Sequence, residues 1–419
     1  MKVIHVNSTA HDGGAARAAH RIHLGQRKIG IDSRMAVIHK KLDDPSVIAP
    51  LGMTGRVRAV LGGRAEAKIL SRQRSANTVF HSLGLFGAGL ARWLNASDAD
   101  LVNLHWVAAA TLSIGEIAAI RKPIVWTMHD MWPFSGAEHY EDIAGRPRAN
   151  DGYTPASRAA TDSGPDLDAW VFRRKRRAWG GKTFHLASPS RWLAERAKAS
   201  LLFSRMPCRV ISNGIDLDLY KPLDRREARR ALNLPQDKRL VLFGAMASTT
   251  DRRKGFHLLV PALQALARDP DCGPRTELLV FGARAPKEPI DLGLPVHYLG
   301  QFGDDLAMAL IYSAADVFVA PSLQDNLPNT LVEALACGTP CVAFEIGGMP
   351  DLVRDESCGA LAPAGDVDAL ARAIAAVLAR TGDRARAACR QSAEARFADT
   401  EVARQYRAYY QEILKQPLN

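Results

Sequence analysis

Two doubly wound α/β domains are what this sequence predicts, on three observations. Short apolar runs of strand length alternate with helical stretches through both halves, the pattern of a parallel sheet covered by helices. The chain has 419 residues, 47% of them apolar and 24% charged, enough for two domains that each bury a core. Asn213-Gly214 near the middle marks a tight turn. The division that follows is 1–208, 209–399 and a closing helix, 400–419.

In the first half the strand candidates are Lys2–Val6, Ser33–Ile38, Leu101–His105, Ile124–Met128 and Thr183–Ala187. A helix starts near Ala15, and another follows Ser190, whose hydroxyl suits an N-cap. Between Ser135 and Asp168 the chain turns polar and rich in Gly, Pro and Asp, which predicts a long, mobile surface loop. The second half opens with a strand at Arg209–Ser212. Strands recur at Arg239–Phe243, Glu277–Phe281, Val296–Leu299, Val317–Ala320 and Pro340–Phe344. The helix Asn329–Ala336 lies between the last two, ended by Gly338 as a C-cap. The last helix, about 400–415, has no sheet of its own left to cover.

Composition narrows the class. The opening Met1-Lys2-Val3-Ile4 runs straight into a strand without a secretory pattern, and no run of eighteen apolar residues predicts a membrane span. A cytoplasmic protein is expected. The six cysteines (208, 272, 337, 341, 358 and 389) have no zinc-like spacing and read as small buried residues. The net charge of +11 favours an anionic partner. Arg56, Arg58, Arg64, Lys68, Arg72 and Arg74 are interleaved with Val57, Val60, Leu61, Ile69 and Leu70. A second cluster is the run Arg173-Arg174-Lys175-Arg176-Arg177. Both read either as solvated helix faces or as surfaces that dock on anionic lipid. Gly62-Gly63 weakens the first as one continuous helix.

Four places carry chemistry. After the first strand, Gly13-Gly14 at a strand-to-helix junction lets backbone amides approach an anion, or serves as a plain turn. It is no dinucleotide fingerprint, and no acidic residue closes the second strand. After the fifth strand, His129 and Asp130 lie at a carboxyl end, where ligands of open α/β sheets gather. His129 there either meets a substrate hydroxyl or is satisfied by backbone. Trp132 and Phe134 either offer a stacking face or pack the loop. In the second half, Asp251-Arg252-Arg253-Lys254-Gly255 puts three cations before a helix, suited to a diphosphate or to a surface turn. The fourth place is decisive. A strand ends at Pro321, a loop carries Asp325, and a helix carries Glu333 eight residues on. The amides of Asn326, Leu327 and Asn329 sit at a helix N-terminus, where phosphate is favoured, and Glu333 lies within reach of a ribose diol.

These residues resemble glycosyltransferase family 4, retaining enzymes of the GT-B fold, in which two Rossmann-like domains face each other across a cleft. The resemblance rests on Gly13-Gly14, Arg253-Lys254-Gly255, Asn213-Gly214-Ile215-Asp216 and the acidic pair, and extends over nearly the whole chain. Leu101-Val102-Asn103-Leu104-His105-Trp106, the stretch Trp126–Phe134 and Pro189-Ser190-Arg191-Trp192-Leu193-Ala194 look like the branch that builds bacterial exopolysaccharide, O-antigen and colanic acid.

The resemblance implies that Glu333 holds the nucleotide ribose and Lys254, with Arg253, neutralises the diphosphate. Asn326, Leu327 and Asn329 would contact the donor sugar or its β-phosphate. His129 would sit beside the transferred sugar, Gly13 and Gly14 would admit the diphosphate, and Asp130 and Trp132 would touch sugar or acceptor. Asp325 would face the donor sugar. Transfer would retain anomeric configuration without an obligatory metal, from a UDP-, GDP- or ADP-sugar. The acceptor would be a saccharide, linked to a polyprenyl diphosphate at the cytoplasmic membrane face. The closing helix would return to the first domain.

Three departures stand out. Asp325 replaces the usual Glu, one methylene shorter. The family's arginine upstream of the lysine has no counterpart in 243–250, leaving Arg252 or Arg253 to substitute. Ala137-Glu138 stand where relatives of this branch carry cysteine. The first two motivate an alternative: a catalytically weak nucleotide-sugar-binding assembly protein of the same pathway. A NAD-dependent oxidoreductase lacks its fingerprint here, and nucleic-acid binding leaves the acidic pair unexplained.

Overall fold

The opening run forms β1 (Lys2–Thr9), in which Val3, Ile4 and Val6 are buried, and further strands of the first sheet arise from short stretches in which apolar residues predominate without being continuous. A computed structural model describes residues 1–143, 146–244, 251–286 and 290–416. It contains β2 (Asp32–His39), β3 (Val47–Ile48), β4 (Leu101–Leu104), β5 (Ile124–Thr127), β6 (His185–Ser188) and β7 (Cys208–Val210). All pair in parallel, in the order β3-β2-β1-β4-β5-β6-β7. The chain order reverses direction between β1 and β4, the switch point beside which ligands of such sheets bind.

The second sheet holds β8 (Arg239–Gly244), β9 (Thr276–Phe281), β10 (Val296–Gly300), β11 (Val317–Ala320), β12 (Cys341–Phe344) and β13 (Gly359–Ala362). Its order is β10-β9-β8-β11-β12-β13, with the switch between β8 and β11. Val241, Leu278, Val280, Val319 and Val342 face helices on one side, and Leu240, Leu242, Leu279, Phe318 and Ala343 face those on the other. Strands buried on both faces account for the unbroken apolar runs.

The chain divides into Met1–Asn213 with Thr400–Asn419, and Gly214–Asp399. The strand expected to open the second half instead pairs with β6, so the first unit runs five residues beyond 208. The helix Asp399–Leu414 belongs to the first unit, where Val402, Tyr406, Tyr409, Tyr410 and Ile413 pack on Val3, Leu101, Val125 and Ala187.

Ser190 caps its helix, accepting from the Leu193 amide at 3.1 Å. The helix Asn329–Ala336 ends before Gly338, whose φ is 74°. Three expectations need correction. The helix Gly52–Leu70 runs unbroken through Gly62-Gly63. A Cβ on Gly62 would lie 2.6 Å from Phe86 Cβ, so close packing accounts for this glycine. The segment after Ser135 is a solvated loop only in part: Ser135–His139 are buried, as are Ala149 and Tyr153, while 154–156, 159–161 and 163–165 are exposed. The basic run 173–177 is not one face either. Arg173, Arg176 and Arg177 are exposed, but Arg174 lies over the Trp170 ring and Lys175 is fully buried. Of the six cysteines, all are free thiols and Cys208 is the exposed exception.

Candidate active site

In the second unit the cationic turn and the acidic loop meet at the carboxyl ends of β8 and β11. The Leu323 amide donates to Arg253 O at 2.8 Å, and the Arg253 guanidinium donates to Gln324 O at 3.1 Å. Asp251 holds the same guanidinium at 2.8 Å. Lys254 Nζ lies 2.5 Å from Asp325 Oδ2. The turn approaches the loop this closely because position 255 is glycine. Its φ is 73°, and a Cβ there would lie 1.8 Å from Pro321 O. Gly347 does the same behind Asp325, whose carbonyl would be 2.2 Å from an added Cβ.

A small depression opens here, lined by Gly244, Lys254, Ala320, Ser322, Asp325 and Thr330 among others. The structure thus brings Arg253, Lys254 and Asp325 together. Asn326 and Leu327 are buried in the loop, Asn329 starts the helix, and none of the three lines the depression. Nor does Glu333, which is 4% exposed and accepts from the Tyr312 hydroxyl at 2.9 Å. Of 243–250, where the upstream arginine is missing, residues 245–250 lie outside the described residues.

In the first unit Gly13, with φ of 93°, precedes the helix Gly14–Lys28 as its N-cap residue. A second depression lies at the carboxyl ends of β4 and β5, lined by His105, Trp106, His129, Asp130, Trp132 and His139 among others. His129 is half-buried, and its Nε2 lies 3.0 Å from Nδ1 of another histidine, His105. Burial pushes its pKa down to about 4, so the ring is neutral at pH 7.

Asp130 Oδ2 meets His139 Nδ1 at 2.6 Å, while Oδ1 accepts from the Trp132 amide at 3.0 Å. Burial raises the Asp130 carboxyl, but His139 and that amide outweigh it and hold the group below its ordinary value. His139 Nε2 in turn lies 3.0 Å from Ser82 Oγ. Trp132 is 2% exposed, with Lys175 Nζ 4.0 Å from its ring centre and His139 stacked on it. Its faces are taken, and Phe134 is wholly buried. Both pack the loop, so the stacking surface for sugar is not one they offer.

Sequence reasoning missed His139, His105, His5 and Lys175. Lys175 donates to the carbonyls of Trp132, Ser135 and Gly136 from beneath the loop. Val171 and Trp179, four residues to either side, mark its helix position as inward-facing, the signal that could have found it. Among the described residues no cluster of three or more His, Cys, Asp or Glu could hold a metal.

Two doubly wound α/β units, each with a depression at its switch point, are a frame shared by several classes of enzyme, and comparison with known proteins identifies the class as glycosyltransferases. A family described as "Glycosyltransferase Family 4" matches residues 12–219, and one described as "Glycosyl transferases group 1" matches 237–380. The chain belongs to the family 4 glycosyltransferases.

It is 36% identical to a D-inositol 3-phosphate glycosyltransferase of Saccharomonospora viridis, over 42% of this chain and 43% of that protein. It is 30% identical to the phosphatidyl-myo-inositol mannosyltransferase of Mycobacterium leprae, over 68% of this chain and 66% of that one. The chain spans less than half the length of the first of these relatives. Among solved structures, sucrose-phosphate synthase from Thermosynechococcus elongatus aligns with a TM-score of 0.66 at 21% identity, over 99% of each chain. HepE of Anabaena, solved with UDP-glucose, aligns with a TM-score of 0.63 at 17% identity, over 98% of this chain and 100% of that one. At such identities the likeness is one of fold, the GT-B fold.

Proposed function

We propose that this chain is a retaining glycosyltransferase moving a hexosyl or related unit from a nucleotide-diphosphate sugar to a lipid-linked saccharide, in synthesis of a bacterial surface polysaccharide. The observation that carries this reading is the joining of Arg253, Lys254 and Asp325 across two loops at the second switch point. Lys254, Arg253 and the backbone amides of Asn326, Leu327 and Asn329 stabilise the leaving diphosphate, with no metal required. Such pre-oriented charge is commonly the largest catalytic contribution. Asp325 holds the donor sugar, Glu333 the ribose, and His129 the hydroxyls of the transferred sugar. Departure of the diphosphate and arrival of the acceptor occur on one face of an oxocarbenium-like sugar.

The likeness to the mycobacterial mannosyltransferase supports a second reading of the acceptor, a phosphoinositide in place of a polyprenyl diphosphate. Both are anionic and lipid-borne. The helix Gly52–Leu70 suits either, since Met53, Val57, Val60 and Leu61 are exposed beside Arg56, Arg64 and Lys68. No helix among the described residues is long and apolar enough to cross a membrane, so contact would be peripheral, on the cytoplasmic face. Reversing Arg56, Arg64 and Lys68 to Glu is expected to weaken binding to phosphatidylglycerol vesicles. Unchanged binding removes the membrane from the proposal.

The donor is tested by thermal shift and product release with UDP-, GDP- and ADP-sugars, on wild type and Glu333→Ala. One nucleotide class is expected to stabilise wild type and not the variant. Stabilisation without product would favour a donor-binding assembly protein; no stabilisation by any donor would sink the assignment of this site.

A further inference from the structure

A line of buried side chains joins the first unit's depression to the C-terminal helix. Starting at the depression, His129 Nε2 lies 3.0 Å from His105 Nδ1. His105 Nε2 lies 2.8 Å from His5 Nδ1, and His5 Nε2 lies 2.9 Å from Gln26 Oε1. Gln26 Nε2 donates to the Tyr410 hydroxyl at 3.0 Å. Asn103 donates to the same oxygen at 2.7 Å, and Thr127 donates to Asn103 at 2.9 Å. His5, Gln26, Asn103 and Tyr410 are wholly buried and His105 is 2% exposed. The parallel pairing β1-β4-β5 sets the three rings side by side, His105 stacked at 5.1 Å on His5 and 5.2 Å on His129.

Each neutral imidazole carries one N–H and one bare nitrogen, so the line has a direction. With Gln26 Oε1 accepting, His5 is protonated at Nε2 and must receive at Nδ1. His105 is then protonated at Nε2, and so is His129. No ring can change tautomer alone without setting two bare nitrogens, or two protons, against each other. Reversal would need the Gln26 amide and all three rings to change together.

We propose that His105, His5, Gln26 and Tyr410 are positioning residues that lock His129 in its Nε2–H tautomer and fix its ring plane. The proposal deepens, and rests on, the reading of His129 as the group that holds the transferred sugar, because the tautomer decides whether Nδ1 accepts or donates. Burial supports it by pulling the pKa of His5 and of His129 down to about 4, which keeps the line neutral. A side chain on the last helix thereby governs hydrogen bonding at the far side of the unit.

The test is 15N spectroscopy of ring-labelled histidines in the full chain at pH 7, with His129 assigned by its loss in His129→Gln. Wild type is expected to show two well-separated resonances for His129, Nε2 protonated and Nδ1 bare. In Tyr410→Phe and His105→Phe these should move towards the averaged positions of exchanging tautomers. Tyr410→Phe removes a single oxygen and keeps the ring, so it serves if His105→Phe does not fold. A wild-type mixture, an Nδ1–H pattern, or the wild-type pattern persisting in the variants would overturn the proposal.

Turnover gives a second readout. Tyr410→Phe is expected to lower kcat by about tenfold with the donor KM changed less than about twofold; a change in KM alone would also overturn it. A wild type that turns over no donor would defeat the transferase reading, while the spectra would still decide the relay.

Discussion

Lys254→Ala is expected to lower kcat/KM for the donor by about two to three orders of magnitude, the usual cost of losing one pre-oriented charge at a leaving group. The loss should fall mainly on kcat. Negative charge builds on the diphosphate as the bond to the anomeric carbon breaks, so an ammonium aimed there stabilises the transition state more than the bound donor. The Asp325 carboxylate at 2.5 Å holds that ammonium in place. Lys254→Arg keeps the charge but spreads it over a planar fork, and partial recovery is expected. Asp325→Glu restores the family's longer acid and should change the choice of sugar more than the rate. Steady-state kinetics on the four proteins check this. An alanine variant within threefold of wild type would mean that the diphosphate is neutralised elsewhere.

The largest expected effect on stability comes from a residue far less conspicuous in the sequence. Lys175→Met keeps the length of the side chain and removes its charge and its donors. Three carbonyls, those of Trp132, Ser135 and Gly136, lose their partner. A stranded buried acceptor costs about 1 kcal/mol or more, and the contact with the Trp132 ring contributes about 1 kcal/mol besides. The expected loss is therefore about 3–4 kcal/mol. Burial pushes the lysine pKa well down, with Glu138, Asp130 and Asp168 opposing this. Three carbonyl acceptors match the three protons of an ammonium, and that geometry favours the charged form. Urea denaturation measures the loss, and amide exchange at 131–140 should rise with it. Arg176→Ala, one residue on and exposed, should change stability by less than about 0.5 kcal/mol. Equal effects at the two positions would defeat the argument.

Lys175 also shows where the sequence stops being readable. A run of five cations reads as one polar face, and the count hides the fact that a helix turns 100° per residue. The two parallel sheets were legible because strands buried on both faces are rich in apolar residues, nearly continuous at β5, β8 and β11 and interrupted by His5 and Asn7 in β1 and by Asn103 in β4. Val47–Ile48 and Gly359–Ala362 escaped because edge strands of two and four residues, one of them opened by glycine, carry too little apolar pattern.

The second unit's site was visible for a local reason: strand end, loop, acid and helix follow one another within 321–333. The surroundings of His129 were not. Its partners His105, His5, Gln26 and Tyr410 are far apart in the chain, and only the strand order β1-β4-β5 makes them neighbours. The polarity of 135–168 misled only at its buried positions, since 154–156, 159–161 and 163–165 are exposed as it suggests. Its Asp168, Glu138 and Tyr153 lie in a buried hydrogen-bonded cluster rather than in solvent.

The return of the last helix to the first unit has a consequence for how the chain is made. Residues leave the ribosome in order, at roughly 5–20 per second, and the side chains that complete the cover of one face of the first sheet follow the whole of Gly214–Asp399. Until Val402, Tyr406, Tyr409, Tyr410 and Ile413 emerge, Val3, Leu101 and Val125 share that side only with Ile22, Ile31, Ala187 and Ile211, and its cover is incomplete. Gly214–Asp399 has all of its own strands by then. The half synthesised second is therefore expected to finish folding first, and the N-terminal half to wait for it with apolar surface open to chaperones.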